Sequence, residues 1–549
     1  MNVIEHIQHA YHHYLATTFQ LSEQDLAVHV VELNVDENRQ QFGDLSNASA
    51  MILAKQLQKN PRDIASQITR EFKYHYIARV DVAGPGFLNF SLTAEAFKQL
   101  AVDLQKQTDN FFKLSTHVPK KLFNIEFVSA NPTGPLHLGH GRGGIIGDVL
   151  SAVLRYIGHE VTKEFYINDA GAQIQKLGKS FKIRCKQVLG YEEELPEDAY
   201  HGEYLIELAH KAFKAYADEL LDKDDNFYAE YAKDHMLEDL KKTLKEYGIG
   251  YDTWFSEKIL HTGGAIERAL QFLQERNHLY VKDGATWFKS TQYGDDKDRV
   301  VKKESGELTY VAADIAYLQN KVERGAGHLI MILGHDHHSY ETRLHAVRKA
   351  LGIEQSLDVI LYQLVKMKAA GKQVRMSKRA GNIVTLRDVV ETVGTDVARF
   401  FYLNRKADAQ LEFDLELALK TTEENPVFYV QYAYVRIHSI LEKAAQESAF
   451  SNITQEDIQN IGQEEHYLIK KMVSLKELLF SISTNFHTHL LANYTIELAN
   501  AFHRYYAQSR VLDIEDVPKS RARVAMLYLL QQHVARCLNL LGLSKPTKM

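Results

Sequence analysis

Cysteine and proline are scarce in this chain of 549 residues. Its two cysteines, Cys185 and Cys537, provide neither a disulfide framework nor a cysteine-based zinc site. Nine prolines occur, and none lies between Pro196 and Pro426. Helices can therefore run through that stretch without a proline that would break them.

Long apolar runs and a leader segment are also missing. No hydrophobic run approaches the roughly 20 residues that span a membrane, and the first residues, Met-Asn-Val-Ile-Glu-His, lack the basic and apolar regions of a signal peptide. The formal net charge is −6, whereas proteins that coat duplex nucleic acid are usually basic. We expect a soluble, cytoplasmic protein that binds no membrane and no DNA, and that meets other nucleic acids through local patches.

Hydrophobic patterning divides the chain into three parts. Residues 1–115 read as a small α+β domain, and residues 120–415 as an α/β domain with a charged helical insertion around residues 170–250. Residues 416–549 have a helical pattern throughout, which predicts a bundle. The expected fold class is therefore multidomain α/β.

The α/β part opens with a strand–helix–strand pattern that is typical of a nucleotide-binding sheet. Strands are expected at residues 76–82, 87–90, 122–128, 160–167, 309–313, 328–333 and 359–365, and helices near residues 51–57 and 140–157. In the bundle, an apolar-aromatic stripe comprises Leu498, Ala499, Phe502, Tyr505 and Tyr506.

The first motif that carries chemistry, residues 130–140, reads Ala-Asn-Pro-Thr-Gly-Pro-Leu-His-Leu-Gly-His. It places His137 and His140 where a strand gives way to a helix, whose N-terminus favours phosphate oxygens. Gly139 lets the backbone approach a ligand closely, and we expect the glycines at 141, 143, 144 and 147 to continue that smooth surface. Taken alone, the motif could equally be a glycine-rich turn with two partly exposed histidines.

The second motif, residues 375–382, reads Arg-Met-Ser-Lys-Arg-Ala-Gly-Asn. A mobile loop that carries Lys378 can close over pyrophosphate as it leaves, because adenylate formation requires in-line positioning and neutralised phosphate charge. Taken alone, this motif is better explained as an ordinary basic surface loop.

Two further groups of side chains invite a functional interpretation. Residues 335–338, His-Asp-His-His, could suggest a metal site, but their spacing does not bring three or four ligands together. The acids Glu126, Glu257 and Asp314 suit a cationic substrate, since a guanidinium pairs with a carboxylate through two parallel hydrogen bonds. The alternative for these acids is structural salt bridges.

The two motifs together resemble the ATP-binding signatures of class I aminoacyl-tRNA synthetases, and the chain as a whole resembles arginyl-tRNA synthetases. The stretches that carry this resemblance are Phe42-Gly-Asp-Leu-Ser-Asn-Ala, Gly84-Pro-Gly-Phe-Leu-Asn, Asn131-Pro-Thr-Gly-Pro-Leu-His-Leu-Gly-His, Tyr251-Asp-Thr-Trp-Phe-Ser-Glu, Gly294-Asp-Asp-Lys-Asp-Arg, Tyr310-Val-Ala-Ala-Asp, Arg375-Met-Ser-Lys-Arg-Ala-Gly-Asn and Leu540-Leu-Gly-Leu-Ser-Lys-Pro.

The resemblance implies a Rossmann-like class I catalytic domain, an N-terminal domain that contacts tRNA and a C-terminal anticodon-binding bundle. It implies that arginine and ATP form arginyl-adenylate and pyrophosphate, and that the arginyl group passes to the terminal ribose of tRNA(Arg). It further implies that tRNA must bind before activation, that Mg²⁺ accompanies ATP, that no cofactor is tightly bound and that the chain is a monomer.

The same resemblance assigns roles to individual residues. The catalytic set is His137, His140 and Lys378, and the ATP-binding set is Pro135, His137, Gly139, His140, Gly143, Met376, Ser377 and Lys378. The arginine-binding set is Glu126, Asn131, Glu257, Tyr310, Asp314 and Asp336, with a histidine beside Asp336 as an alternative to it. The tRNA-binding set is Phe87, Asn89, Tyr432, Arg436, Arg504 and Arg510. Tyr505 is a further tRNA-contact candidate, but it is equally well explained as a core residue. No metal is assigned to the protein itself.

The chain departs from the family pattern at Arg375, which stands where the loop signature usually begins with lysine, and at Leu138, which stands in the usual isoleucine place. Three rival functions remain open at this point. They are another class I ligase or nucleotidylyltransferase, a tRNA-binding paralogue without activity, and a metal hydrolase built on residues 335–338.

Overall fold

The computed structural model describes residues 1–115, 118–335, 338–369, 372–374 and 384–549, with the backbone alone at 338–339 and 372–374. None of the described helices is both long and apolar enough to cross a membrane.

The N-terminal part is a four-stranded antiparallel sheet in the order β1-β2-β4-β3, with helices around it. Its strands are β1 (Glu32–Leu33), β2 (Leu45–Asn47), β3 (Ile77–Ala83) and β4 (Phe87–Leu92). Its helices are α1 (Val3–Phe19), α2 (Glu23–Leu26), α3 (Ser49–Leu57), α4 (Pro61–Glu71) and α5 (Ala94–Gln107), with 3-10 turns at Glu37–Phe42 and Thr108–Phe112. The α+β arrangement is the one that the sequence predicts.

The central part is built on a five-stranded parallel sheet in the order β12-β11-β5-β6-β7. These strands are β5 (Leu122–Phe127), β6 (Glu160–Ile167), β7 (Thr253–Ser256), β11 (His328–Gly334) and β12 (Ser356–Tyr362). Helix α6 (Leu138–Ile157) crosses from β5 to β6, which confirms the predicted βαβ unit.

The remaining elements of the central part surround that sheet. The helices are α7 (Ala172–Val188), α8 (Tyr204–Tyr216), α9 (Asp225–Glu246), α10 (Lys258–Thr262), α11 (Ala265–Glu275), α12 (Tyr310–Glu323), α13 (His338–Ala350), α14 (Leu386–Val393), α15 (Thr395–Tyr402) and α16 (Leu415–Ala418), and 3-10 turns lie at Ala217–Asp222 and Ser290–Tyr293. The strands are β8 (Leu279–Lys282), β9 (Ala285–Phe288), β10 (Arg299–Lys302), β13 (Val365–Ala369), β14 (Lys372–Val374) and β15 (Leu411–Asp414).

The strand expected at residues 309–313 is wrong, because α12 begins there. Its residues Val311, Ala312 and Ala313 are buried, and a short apolar run does not distinguish a buried strand from a buried helix. Alanine, the strongest helix former, decides for the helix here. The strand expected at residues 359–365 is divided between the end of β12 and the start of β13.

Helices cover both faces of the parallel sheet. Alternate residues of β11 belong to different cores: Ile330 and Ile332 pack in the core that contains α6, whereas Leu329 and Met331 pack in the core that contains α12. Because side chains alternate across a strand, α6 and α12 lie on opposite faces of the sheet.

The C-terminal part is helical, as predicted, with α17 (Pro426–Gln446), α18 (His466–Asn485), α19 (His489–Gln508) and α20 (Val517–Leu541), and 3-10 turns at Asp457–Asn460 and Gln463–Glu465. It contacts the N-terminal part directly. Lys470 lies 2.8 Å from the Asp44 carboxylate, and the rings of Phe97 and His466 stack with centroids 3.9 Å apart.

Glycine at position 147 lets α6 lie against β5. A Cβ atom there would be 2.3 Å from Cγ of Phe127, which is fully buried. We expect Gly147→Ala to lower the free energy of unfolding by about 1–3 kcal/mol through overpacking, measured by chemical denaturation. Gly250→Ala is the control, since no atom lies within 4 Å of its added Cβ. Equal stability of the two variants would contradict the packing role of Gly147.

Candidate functional site

The two histidines of the first motif cap helix α6. The N–H of Gly139 donates to Nδ1 of His137 at 3.1 Å, and the N–H of His137 donates to Nδ1 of His140 at 3.2 Å. The two rings stack with centroids 3.6 Å apart. Because each Nδ1 accepts a backbone hydrogen bond, each neutral ring carries its proton on Nε2, and both Nε2 atoms are donors beside the helix N-terminus.

The described residues that flank the second motif are hydrogen-bonded to the first. The N–H of Leu138 donates to the carbonyl oxygen of Val384 at 3.2 Å, and the N–H of Leu386 donates to that of Leu136 at 2.8 Å. The segment that follows the second motif therefore lies against the first motif, although the two are far apart in the sequence. Residues 375–383, with Met376, Ser377 and Lys378, lie outside the described part of the chain.

The later glycines of α6 do not continue a ligand surface as expected. A Cβ at Gly143 would lie 2.6 Å from the Tyr362 ring, one at Gly141 would lie 2.6 Å from Leu386, and one at Gly144 would lie 2.8 Å from Ile249. These three glycines are buried and allow close packing of α6 against its neighbours. Gly139 and Pro135, in contrast, are only partly buried at the start of the helix.

Three carboxylates converge on the phenol of Tyr166, near the carboxyl end of β6. Burial raises the pKa of Tyr166, and the negative charges of Glu257, Asp314 and Glu126 raise it further. These acids come from β5, from the residue after β7 and from α12, so the sheet brings together groups that are distant in the sequence. We call Glu126, Tyr166, Glu257, Asp314 and Tyr340 the acidic pocket.

Asp314 is the most strongly perturbed acid of the pocket. Burial raises its pKa to about 7, and the charges of Glu126 and Glu257 add to the shift, while the hydroxyl of Tyr340, which donates to Oδ1, and the positive charge of Arg343 oppose it. Burial also raises the pKa of Glu257, against a hydrogen bond from His261. Within the described residues, neither carboxylate forms an ion pair with lysine or arginine, so the pocket is suited to a cation.

Glu126 has a different environment, since its carboxylate lies 3.0 Å from Nζ of Lys321. That ammonium also donates to Oδ1 of Asn124 at 2.7 Å and lies 3.1 Å from the buried Glu164 carboxylate, which Arg324 holds through two hydrogen bonds of 2.6 and 2.9 Å. The pairing neutralises Glu126 beneath the pocket. For this acid the salt-bridge interpretation describes the structure.

Two more of the predicted arginine-binding residues, Asn131 and Tyr310, are described by the structure. Asn131 is exposed and donates to the Gln173 side chain at 2.8 Å, and Tyr310, 60% exposed, is the first residue of α12. Asp336 lies outside the described residues. The sequence reasoning missed Tyr166, Tyr340 and Asn168, whose amide reaches Glu257 at 2.9 Å. Only the position of Tyr166 and Asn168 at the end of a predicted strand could have indicated them.

The predicted tRNA-binding residues are spread over two surfaces. Phe87 is 42% exposed on β4, whereas Asn89 is buried. In the bundle, the Arg436 guanidinium lies 5.4 Å from the Tyr432 ring centroid and 4.7 Å from that of Tyr506.

Charged partners already occupy other candidates. Arg504 contacts Glu37 of the N-terminal part, and Arg510 lies 3.7 Å from Asp513. Tyr505 is buried and donates to Glu465 at 2.9 Å, so it is a core residue here. Over the described ranges, no three His, Cys, Asp or Glu side chains are grouped to hold a metal ion.

Comparison with known proteins gives matches to three family models. The model described as "Arginyl tRNA synthetase N terminal domain" matches residues 2–92, "tRNA synthetases class I (R), catalytic domain" matches residues 104–407 and "DALR anticodon binding domain" matches residues 430–549.

Curated relatives and solved structures agree with these matches. The arginine–tRNA ligase of Anoxybacillus flavithermus is 40% identical over 514 residues, which cover 92% of each chain. That of Bacillus subtilis is 40% identical over 515 residues, with the same coverage. The arginyl-tRNA synthetase structures from Thermus thermophilus (TM-score 0.75, 20% identity) and Plasmodium falciparum (TM-score 0.76, 17% identity) cover 100% of both chains and have the same fold.

The raised pKa of Asp314 predicts that this acid destabilises the unliganded protein. Its pKa is about 7 when folded against an ordinary value of 3.8, so the folded state binds more protons between those pH values. Stability therefore falls as pH rises through that window. We expect Asp314→Asn to raise the free energy of unfolding by about 3–4 kcal/mol at pH 8 and by only about 1–2 kcal/mol at pH 5, because much less of that window has been crossed at the lower pH.

Chemical denaturation at both pH values measures this effect. Asp218→Asn, on the exposed 3-10 turn, is the matched control and should have no pH-dependent effect. A pH-independent difference between Asp314→Asn and the unmodified chain would contradict the assignment.

Proposed function

Because the chain belongs to the arginyl-tRNA synthetases, and thus uses ATP to attach arginine to tRNA(Arg), we propose that the start of helix α6 binds ATP and that the acidic pocket binds arginine. The contact between the first motif and the segment that follows the second carries this proposal. The hydrogen bonds from Leu138 to Val384 and from Leu386 to Leu136 place the residues just after the lysine loop beside the imidazoles. Both sites lie at the carboxyl edge of the parallel sheet, where such folds bind ligands.

In the first step, the carboxylate of arginine attacks the α-phosphorus of ATP, and pyrophosphate leaves. The Nε2 donors of His137 and His140 and the free N–H groups of α6 stabilise charge on the phosphate oxygens. The Lys378 ammonium neutralises charge on the departing pyrophosphate, and Met376 and Ser377 of the same loop are assigned to ATP binding. Mg²⁺ enters with ATP as part of the substrate, held by phosphate oxygens.

Arginine is recognised by charge. Asp314 and Glu257 accept hydrogen bonds from the guanidinium, and Tyr340 orients Asp314 through the hydrogen bond to Oδ1. Glu126 and Asn131 lie nearer the end of β5 and hold the α-amino end. We assign Tyr310 and Asp336 to arginine binding as well.

In the second step, the terminal ribose hydroxyl of tRNA takes the arginyl group. We assign tRNA contacts to the N-terminal domain (residues 1–115), through Phe87 and Asn89, and to the helical domain (residues 416–549), through Tyr432, Arg436, Arg504 and Arg510. The catalytic domain spans residues 120–415. Aromatic rings stack on unpaired bases and arginine meets phosphates, and the partly exposed Tyr432 ring lies beside the Arg436 guanidinium, which supports these two residues. The chain acts as a cytoplasmic monomer, in which one polypeptide supplies all these surfaces.

ATP–pyrophosphate exchange tests the ATP site. We expect exchange to depend on arginine and on added tRNA, and His140→Ala to lower kcat by about 10²–10³-fold because one preorganised donor is lost. His210→Ala, which removes an exposed histidine of α8, should retain normal exchange. Exchange with a different amino acid would refute the arginine assignment, and normal turnover of folded His140→Ala would refute the ATP site.

The pH dependence of arginine use tests the acidic pocket. Because a guanidinium requires ionised Asp314, the KM for arginine should rise as pH falls below about 7, by up to about tenfold per pH unit, while the KM for ATP changes little. In Asp314→Asn the KM for arginine should be high at every pH. Steady-state exchange between pH 5.5 and 8.5 measures both constants, and an unchanged arginine KM in Asp314→Asn would exclude the guanidinium role.

A further inference from the structure

Helix α15 lies between the ATP-site helix and the end of the chain. Its last residue, Tyr402, is fully buried and donates through its hydroxyl to the carbonyl oxygen of Leu138 at 2.8 Å. Leu138 is the first residue of α6 and directly follows His137. The Tyr402 ring also lies 2.9 Å from where a Cβ at Gly141 would be. The position of α15 therefore sets the position of the first turn of α6.

One turn earlier on α15, the buried guanidinium of Arg399 joins α6 to the last helix of the chain. Nη2 donates to the Asp148 carboxylate of α6 at 2.6 Å, and Nε donates to the carbonyl oxygen of Leu541, the last residue of α20, at 3.1 Å. Nη1 donates to the Tyr247 carbonyl at 2.8 Å. All three edges of this planar group are used, so Arg399 cannot shift without breaking a contact.

The residues that follow α20 pack closely against this guanidinium. Gly542 has a φ of +69°, and a Cβ there would lie 2.1 Å from Nη2 and 2.4 Å from Cζ of Arg399. Two residues later, the N–H of Ser544 donates to Asp396 at 3.0 Å, and its hydroxyl contacts the same carboxylate. Gln431 of α17 donates to Asp396 at 2.7 Å and so secures it. Residues 541–544, which we call the terminal clasp, are thus attached to α15 at two points.

We propose that Arg399 is a positioning residue for ATP, through which the terminal clasp holds α15, and with it the first turn of α6, in the geometry that activation requires. This inference rests on the proposed ATP site at His137 and His140. According to this proposal, the terminal clasp affects adenylate formation although it lies far from the reacting atoms. Since α6 and α12 lie on opposite faces of the sheet, the effect should fall on ATP rather than on the arginine pocket.

Gly542→Ala tests the proposal without removing a charge, because its Cβ displaces Arg399 from the Leu541 carbonyl. In exchange assays of the full chain with arginine and tRNA, we expect kcat/KM for ATP to fall by about tenfold or more, and the KM for arginine to change by less than about twofold. Gly352→Ala is the matched control, with a φ of +66° and no atom within 4 Å of the added Cβ. It carries the same backbone strain and should leave both constants unchanged.

Ser544→Ala is the second variant, and it tests the positioning role if Gly542→Ala does not fold. It removes one hydroxyl from Asp396 and should raise the KM for ATP by about two- to fivefold with an unchanged melting curve. The proposal is overturned if folded Gly542→Ala matches Gly352→Ala, or if Gly542→Ala is unfolded and Ser544→Ala matches the unmodified chain.

His140→Ala, assayed in parallel, separates the positioning role of Arg399 from the proposed ATP site on which it rests. If His140→Ala loses exchange while Gly542→Ala and Ser544→Ala have normal ATP constants, the positioning role is refuted and the ATP site is retained. Normal exchange in folded His140→Ala would remove the ATP site itself.

Discussion

The anchoring of helix α6 by Arg142 is the constraint on which the candidate site depends. This fully buried guanidinium donates to the carbonyl oxygens of Gln363 at 2.9 Å, Ala409 at 2.8 Å and Lys406 at 2.8 Å. Burial lowers its pKa to about 10, so it remains charged at neutral pH. Since three carbonyl oxygens would lose this donor without it, α6 cannot move independently of the segments on either side of the second motif.

The consequence is a helix N-terminus that is fixed before any ligand arrives. Packing glycines seat α6 against β5 and its neighbours, and backbone hydrogen bonds join its first turn to residues 384–386. Donors that are already oriented need no reorganisation when charge develops on a phosphate. The same glycines that sequence reasoning placed on the ligand surface thus serve the site indirectly, by fixing the helix.

The local parts of the structure follow from the sequence, and the distant contacts do not. The strand–helix–strand pattern at residues 122–167 and the helical C-terminal part are readable because their periods are regular. The apolar run after Thr309 has no such period and is a helix. Tyr340 and Lys321 could not be predicted as partners of Asp314 and Glu126, because α12, α13 and β5 come together only in the folded structure. Sequence spacing also does not reveal that Glu126 is neutralised by a lysine while Asp314 is not.

Because Asp314 is not neutralised by a lysine, the two ends of the candidate site favour charges of opposite sign. At the start of α6 the helix dipole and two imidazole donors favour negative charge, whereas Asp314 and Glu257 in the acidic pocket form no ion pair with lysine or arginine among the described residues. Arginine carries a cation at one end and a carboxylate at the other. In the proposed arrangement, the field turns a molecule of that kind so that its guanidinium enters the acidic pocket and its carboxylate points toward the start of α6. Because a bound cation relieves the cost of ionising the buried Asp314, the polarity of the site favours both the proposed substrate and its proposed orientation.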